Sequence, residues 1–378
     1  MADGPGGSGV GASGGSGGSG AGESRRAPSP GTRVVHAGLA PAETGRPFLG
    51  GPVFAAPYHL PGDPTATPYG YGRYDNPTWA AYERALAELD DADAVTVFSS
   101  GMAACAAVLL TCLRPGDLLV APSDGYPMLR TLAHGHLAER GVETRLFATD
   151  GDWDVAGARL VWIESPSNPE LREADVAAIA QAAHGAGALV ALDNTLLTPL
   201  RQRPLDLGCD FAVYSDTKAM SGHADLLMGH VATRDPELAR QVRAWRSQTG
   251  AVPGPFEVFL AHRSLATLSV RLKRQERNAQ AIADLLRTRD DVADVRHPGR
   301  GMVVSFTLDS AGRADRFLTA CELVIEATSF GGIHSSAERR ARWDQGDDVP
   351  EGFIRLSAGI EETDDLVADI ERALMQSA

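Results

Sequence analysis

The chain has 378 residues, of which 43% are hydrophobic and 22% charged, with a formal net charge of −14. This composition fits a folded, core-forming protein with room for two domains, and its acidity argues against non-specific binding to nucleic acid or anionic membranes. A local positive pocket for a phosphate is still allowed.

Four cysteines, Cys105, Cys112, Cys209 and Cys321, form no Cys-x-x-Cys pair, and three lie in apolar runs. They read as buried free thiols in a reducing, cytoplasmic setting. No apolar run is long enough to cross a membrane, and the N-terminus lacks the apolar core of a signal peptide.

Residues 1–33 are rich in Gly and Ser and too poor in apolar side chains to offset the entropy of ordering, so they read as a disordered tail. Their glycines do not make a phosphate loop, because no strand precedes them and no helix follows. Residues 34–77, rich in Pro, Gly and Tyr, read as an ordered arm. A repeating pattern then begins. Residues 79–89 have the apolar spacing of an amphipathic helix, 94–98 (AVTVF) read as a buried strand, and 102–113 as a largely apolar helix. LLVAP, ending at Pro122, is the next strand. RLVWIE (159–164), a helix at 173–186, LVALD (189–193) and DFAVY (210–214) continue the alternation. Short apolar strands between helices predict an α/β fold with a mostly parallel sheet covered on both faces. After about Glu237 the pattern changes. A long helical stretch (256–287), a strand (302–308), a helix (313–321), a strand (353–357) and a last helix (363–375) predict a smaller C-terminal α/β domain. The expected divisions are therefore 1–33, 34–77, 78–236 and 237–378.

Ligands of an open parallel sheet sit beyond the carboxyl ends of its strands. After AVTVF comes Ser99-Ser100-Gly101-Met102, leading into a helix whose free N–H groups suit a phosphate. Asn168 follows RLVWIE, Asp193 ends LVALD, and Ser215, Thr217 and Lys218 follow DFAVY. Taken singly, each has a plainer reading: Asp193 as a turn or helix cap, Gly101 as turn chemistry, Lys218 as a solvated charge. Together they place a phosphate cradle, an amide, an acid and a lysine on one edge. That set fits pyridoxal phosphate. His134-x-His136 is discounted as a metal site, because residues two apart on a helix do not share a face; no metal is expected.

The ordered blocks YGRYDNPTW (71–79), SSGMAA (99–104), ESPSNP (164–169), DNTLLTP (193–199), SDTKAMSGHADLLMGH (215–230), TSFGG (328–332) and IRLSAGIEETDDL (354–366) resemble the pyridoxal-phosphate enzymes of cysteine and methionine metabolism. These are the cystathionine γ-synthases, γ-lyases and β-lyases. The resemblance implies the type I fold of pyridoxal-phosphate enzymes, with residues 78–236 as the cofactor domain. It implies Lys218 as the residue that binds the cofactor and moves protons, and Asp193 as the acid facing the ring nitrogen. Gly101, Met102, Ser215 and Thr217 match the phosphate cradle, and Tyr126 the tyrosine stacked on the ring. Asn168, Ser329 and Arg355 match the groups that meet the ring hydroxyl and the substrate α-carboxylate, and Thr328 stands at the distal end of the substrate. Tyr71 and Arg73 match a pair that reaches the phosphate from a neighbouring subunit, so a homodimer is the expected minimum and a tetramer the usual assembly. An amino acid is the expected substrate.

The chain departs from the pattern in several places. Tyr126 is followed by Pro127-Met128 where Gly-Gly or Gly-Cys is usual. Thr328 replaces a Glu common in γ-lyases and γ-synthases, Phe330 a commoner Leu or Trp, and His334 a Glu. The segment from His297 to Val304 is short. The expected activity is γ-elimination of cystathionine. Its alternatives are γ-replacement on an O-acylated homoserine, β-elimination, or, in another class, a cofactor-binding partner or tailoring protein for an unusual thioether.

Overall fold

The computed structural model describes residues 28–343 and 347–378. Two sheets lie on either side of the region where the site residues meet. The larger contains β1 (Ala94–Phe98), β2 (Leu118–Pro122), β3 (Glu143–Phe147), β4 (Ala158–Glu164), β5 (Leu189–Asp193), β6 (Phe211–Ser215) and β7 (Gly229–Thr233), in the order β1-β7-β6-β5-β4-β2-β3. Pairing is parallel from β3 to β6, while β7 runs antiparallel to both β1 and β6. The sheet is thus mostly parallel. β7 has no counterpart among the expected strands, because Gly229 and His230 interrupt its apolar run although every residue in it is buried.

The helices are α1 (Pro30–His36), α2 (Pro77–Asp90), α3 (Gly101–Cys112), α4 (Pro127–Leu132), α5 (Val176–Gly185), α6 (Thr198–Arg201), α7 (Pro236–Thr249), α8 (Pro255–Leu265), α9 (Leu268–Arg287), α10 (Ala311–Ala320) and α11 (Thr363–Ser377). Side chains alternate across each strand. One set, including Phe98, Trp162, Phe211 and Val231, packs under α3, α4 and α7. The opposite set packs under α2, α5 and α8. α2 shows how local and tertiary signals agree. The Asn76 side chain accepts the Thr78 N–H at 2.8 Å and Pro77 opens the first turn, a cap worth about 1 kcal/mol. Glu83, buried on the same helix, accepts Arg246 of α7 at 2.7 Å and the Val97 N–H of β1 at 3.0 Å.

Three expectations shift. α1 begins inside the range read as a tail, because Val34 is only 2% exposed and packs in the core beneath α2 and α9; residues 1–27 lie outside the described residues. The change of pattern after Glu237 does not mark the start of the small domain, since α7 still packs on α3, β1 and β7. The helical stretch at 256–287 is two helices separated by Ala266 and Thr267. α8 stays against α2, whereas α9 carries Ala279, Ile282, Ala283 and Leu286 into the second core.

The smaller sheet has the order β10-β11-β12-β9-β8, with β8 (Ala293–Arg296), β9 (Val303–Thr307), β10 (Ile325–Glu326), β11 (Ser336–Arg339) and β12 (Phe353–Ser357). Val304, Phe306, Ala337, Ile354 and Leu356 face α9, α10 and α11. Their neighbours point the other way. Register aligns Glu338 with Arg355 and Arg355 with Ser305, so one polar row crosses three strands on the face turned to the large domain. Ser305 Oγ donates to the Pro169 carbonyl at 2.8 Å across that junction.

Candidate active site

β1, β4, β5 and β6 end on one edge of the large sheet. Beyond them lies a cavity of about 320 Å³, closed on its other side by residues 328–330, Arg340 and Arg355. Its size falls at the lower end for small-molecule sites, roughly 300–1,000 Å³.

Lys218 lies in the turn after β6, where its N–H donates to the Ser215 carbonyl at 3.1 Å. Arg271 of α9 pins the next residues by donating to the carbonyls of Ala219 at 2.8 Å and Met220 at 3.1 Å. The Lys218 Nζ donates to Ser329 Oγ at 2.6 Å and lies 5.1 Å from the centre of the Phe330 ring. Burial, helped by the charge of Arg355, pushes its amine down to about 8. An amine so placed is far easier to deprotonate than a surface lysine.

Asp193 lines the cavity from the end of β5, and its Oδ1 accepts the Thr195 N–H at 3.0 Å and the Thr195 hydroxyl at 2.6 Å. The plain turn reading and the functional one therefore describe the same side chain. Burial raises its carboxyl above the usual range, while the bonds from Thr195 and the charge of Lys218 oppose that shift. Glu164 sits beside it in the β4–β5 register. Its Oε2 accepts the Tyr126 N–H at 2.6 Å, and burial together with Asp193 drives its carboxyl well above the ordinary value. Tyr126 precedes α4 and lines the cavity; burial raises its hydroxyl too, which keeps it protonated.

α3 starts at the same edge. Ser100 Oγ accepts the Ala103 N–H at 3.1 Å, and the first amides of the helix, at Gly101 and Met102, have no partner within it. A Cβ on Gly101 would lie 2.6 Å from the Ser215 Cβ, so only glycine lets α3 begin this close to β6. Thr217 lines the same wall, but its hydroxyl donates to the Met228 carbonyl at 3.2 Å and accepts the Met228 N–H at 3.0 Å.

Arg355, 4% exposed, comes from the polar row of the small sheet. Its Nη1 donates to Asn168 Oδ1 at 2.6 Å, and its Nη2 donates to the Ser329 carbonyl at 3.1 Å and to Glu338 Oε1. Ser329 holds φ of +85°, a strained value for a residue with a side chain, and one that sets both its carbonyl and its hydroxyl to work. A Cβ on Gly331, two residues on, would meet the Ala219 N at 2.6 Å, which accounts for glycine there.

Not every expected residue meets the others. Tyr71 and Arg73 are absent from this chain's cavity wall; Arg73 donates to the Ser247 carbonyl at 2.7 Å and lies 4.8 Å over the Tyr74 ring. Thr328 lines the cavity, but its hydroxyl turns to Glu338 Oε1 at 3.2 Å. His334 is exposed and lines an adjoining groove. His223 bonds through Nδ1 to the Ser221 carbonyl at 2.6 Å in the loop after Lys218. Cys105 belongs to the core as expected, yet it also lines the cavity.

Sequence reasoning missed Thr195, Glu164, Glu338 and Arg340. The first two sit within or beside quoted blocks at strand ends, and that position was the available signal. The last two carry none: Glu338 lies in the short polar strand β11, and Arg340 in the turn that follows it.

The residues fit pyridoxal phosphate. A side-chain-free helix start beside Ser215 suits a phosphate, and a half-buried primary amine suits a carbonyl carbon. A desolvated acid suits a ring nitrogen, and an amide suits a ring hydroxyl.

The family model described as "Cys/Met metabolism PLP-dependent enzyme" matches residues 53–375. A Streptomyces coelicolor protein named "Putative cystathionine gamma-lyase" is 53% identical over 374 residues, covering 93% of this chain and 95% of its own. Escherichia coli cystathionine γ-synthase is 36% identical over 346 residues, covering 83% and 89%. The crystal structure of a Xanthomonas oryzae cystathionine γ-synthase in complex with cystathionine matches with a TM-score of 0.88 at 31% identity, over 93% of this chain and 99% of that one.

Proposed function

The chain belongs to the Cys/Met metabolism family of pyridoxal-phosphate-dependent enzymes, and from that premise we propose that it cleaves the Cγ–S bond of cystathionine. The products are cysteine, 2-oxobutanoate and ammonia, with one water consumed. The observation that carries the reading is the Lys218 amine, half-buried and lowered to about 8, lining one cavity with Asp193 and the Arg355–Asn168 pair. The choice of γ-elimination rests on the relative 53% identical to this chain.

Lys218 would hold the cofactor, with Asp193 at its ring nitrogen and Asn168 at its ring hydroxyl. The amides of Gly101 and Met102 and the Ser215 hydroxyl would hold its phosphate, whereas the Thr217 hydroxyl is taken up by Met228. Pyridoxal phosphate, when bound, supplies a sink for the electron pair left at Cα. Arg355 meets the substrate α-carboxylate with the N–H groups that Asn168, Ser329 and Glu338 leave, on Nε and Nη1, and those three partners set its orientation. With substrate in place, the Lys218 amine would take the Cα proton in its neutral form and move protons between Cα and Cβ. Tyr126, kept protonated by burial, gives a proton to the departing sulfur. Tyr71 and Arg73 complete the site from a second copy, so the working unit is a homodimer or a tetramer built from it. The four thiols, none in a disulfide, support a cytoplasmic setting. Among the described residues no helix is long and apolar enough to cross a membrane.

Mass spectrometry of the keto acid formed from L-cystathionine by the cofactor-loaded protein tests the reading. 2-Oxobutanoate is expected. Pyruvate would mean Cβ–S cleavage, and the absence of both would overturn cystathionine as substrate while leaving the cofactor site standing.

A further inference from the structure

The cavity wall carries a cation that the reaction above does not use. Arg340 opens a short turn after β11, is 8% exposed and lines the cavity along with Tyr126 and Thr328. A guanidinium has five N–H groups. Arg340 Nε and Nη2 donate to Asp347 Oδ2, and Nη1 donates to Glu338 Oε1 at 2.8 Å. With the described residues as partners, two N–H groups remain for a ligand. The charge is felt inside the site, where it disfavours protonation of Lys218 and Arg355 and favours ionisation of Tyr126.

Among the described residues the acids facing the cavity are Glu164 and Asp193, and each is already engaged, by the Tyr126 N–H and by Thr195. Thr328 offers no charge, and its hydroxyl is spent on Glu338. Asp225 and Glu257 lie in the adjoining groove, which shares Thr217, Leu227, Thr328, Ser329 and Phe330 with the cavity but includes neither Arg340 nor Arg355. Past the α-carboxylate site, the wall thus presents a guanidinium, hydroxyls and apolar surface.

We propose that Arg340 selects thioether substrates that carry a carboxylate at their distal end. The inference rests on the γ-lyase reading of the same cavity and names the substrate feature it prefers. A guanidinium suits this task because it meets a carboxylate in a fixed fork, whereas a thioether ending in a methyl group gains nothing from it.

The test compares three L-homocysteine thioethers on the cofactor-loaded protein: S-(3-carboxypropyl), S-propyl and S-(3-aminopropyl). The carboxypropyl compound is expected to exceed the propyl one in kcat/KM by about tenfold to a hundredfold, the range of a charge-assisted hydrogen bond, with the aminopropyl compound last. Arg340→Gln is expected to shrink that ratio towards one, chiefly through KM, and Arg340→Lys to keep part of it. A ratio near one in the unmodified protein overturns the proposal, as does a ratio that survives in Arg340→Gln. Should Arg340→Gln fail to fold, the ratio in the unmodified protein and in Arg340→Lys still decides. If no thioether yields a keto acid, the elimination reading fails by itself; calorimetric binding of the three compounds then judges Arg340, and equal affinities would sink it.

Discussion

Two buried ion clusters flank Lys218, and they solve the same problem differently. Behind it, away from the cavity, His230 sits 2.7 Å from Asp216 Oδ1 and 3.6 Å from Asp90 Oδ2. The Tyr214 ring stacks on it at 4.3 Å and the Tyr214 hydroxyl donates to Asp90. All four are at most 1% exposed. Ahead of it, Glu338 accepts from Arg355, Arg340, Trp343 and Thr328, with Asp347 as a second acid on Arg340. The first cluster holds two acids around one cation and is sealed on all sides. The second holds Glu338 and Asp347 among four guanidiniums, with Arg342 3.8 Å from Glu338 and Arg130 3.7 Å from Asp347 besides Arg355 and Arg340, and the last two reach the cavity. Buried charge must be neutralised in either place. Only where the cations border the cavity can a substrate share in that neutralisation. The rear cluster is scaffold for the segment 215–218; the front one is scaffold and binding surface at once.

The largest test removes the residue between them. Lys218→Ala is expected to lower kcat by at least about a thousandfold and to abolish the visible absorption of lysine-bound cofactor, because neither cluster supplies a neutral amine. A dialysed variant that stays yellow would refute the assignment. Next, Glu338→Gln should destabilise the fold by about 3–5 kcal/mol in urea denaturation, since two guanidiniums lose a shared buried anion. It should also raise KM for the amino acid about tenfold or more; an unchanged KM would remove the distinction between the clusters. His230→Leu should cost a similar 3–5 kcal/mol but shift KM by less than about threefold, because its cluster faces no ligand.

The rear cluster also makes a pH prediction. Burial pulls the His230 imidazole down, but Asp216 and Asp90 outweigh it and raise it from its ordinary 6.5 to about 9. Its stabilisation is therefore fully present below pH 6.5 and is lost as pH rises through 9, by up to about 3 kcal/mol. Lys218 acts with the opposite sign. Lowered from 10.5 to about 8, it costs stability below 8, and the cost is relieved as pH rises towards 10.5. Denaturation midpoints measured in a Lys218→Ala background should show the falling slope alone, and adding His230→Leu should flatten it. The smallest effect concerns Arg73→Ala, expected to weaken cofactor retention on dialysis by a few-fold. Cofactor held as tightly as before would count against a shared site.

Neither cluster is legible in the sequence, although the strand ends between them are. The expected strands at 94–98, 159–164, 189–193 and 210–214 coincide with β1, β4, β5 and β6 to within a residue. Their carboxyl ends point to Glu164, Asp193 and Ser215 without further information. β7 escaped notice because His230 breaks its apolar run, and the same histidine is the centre of the rear cluster. β11 escaped because it is polar on one face and only four residues long. Glu338 and Arg340 went with it.

From the chain order alone came the lysine, the acid at the strand end and the glycine at the helix start, because an open parallel sheet brings all its strand ends to one edge. The tertiary structure decided the partnership of Arg355 with Asn168, which lie 187 positions apart. It also decided that Thr328 serves Glu338, and that a second guanidinium borders the site. Those contacts depend on strand register in the small sheet and on how that sheet meets the large one. Residue spacing along a single strand says which side chains share a face, but not which strand lies beside it.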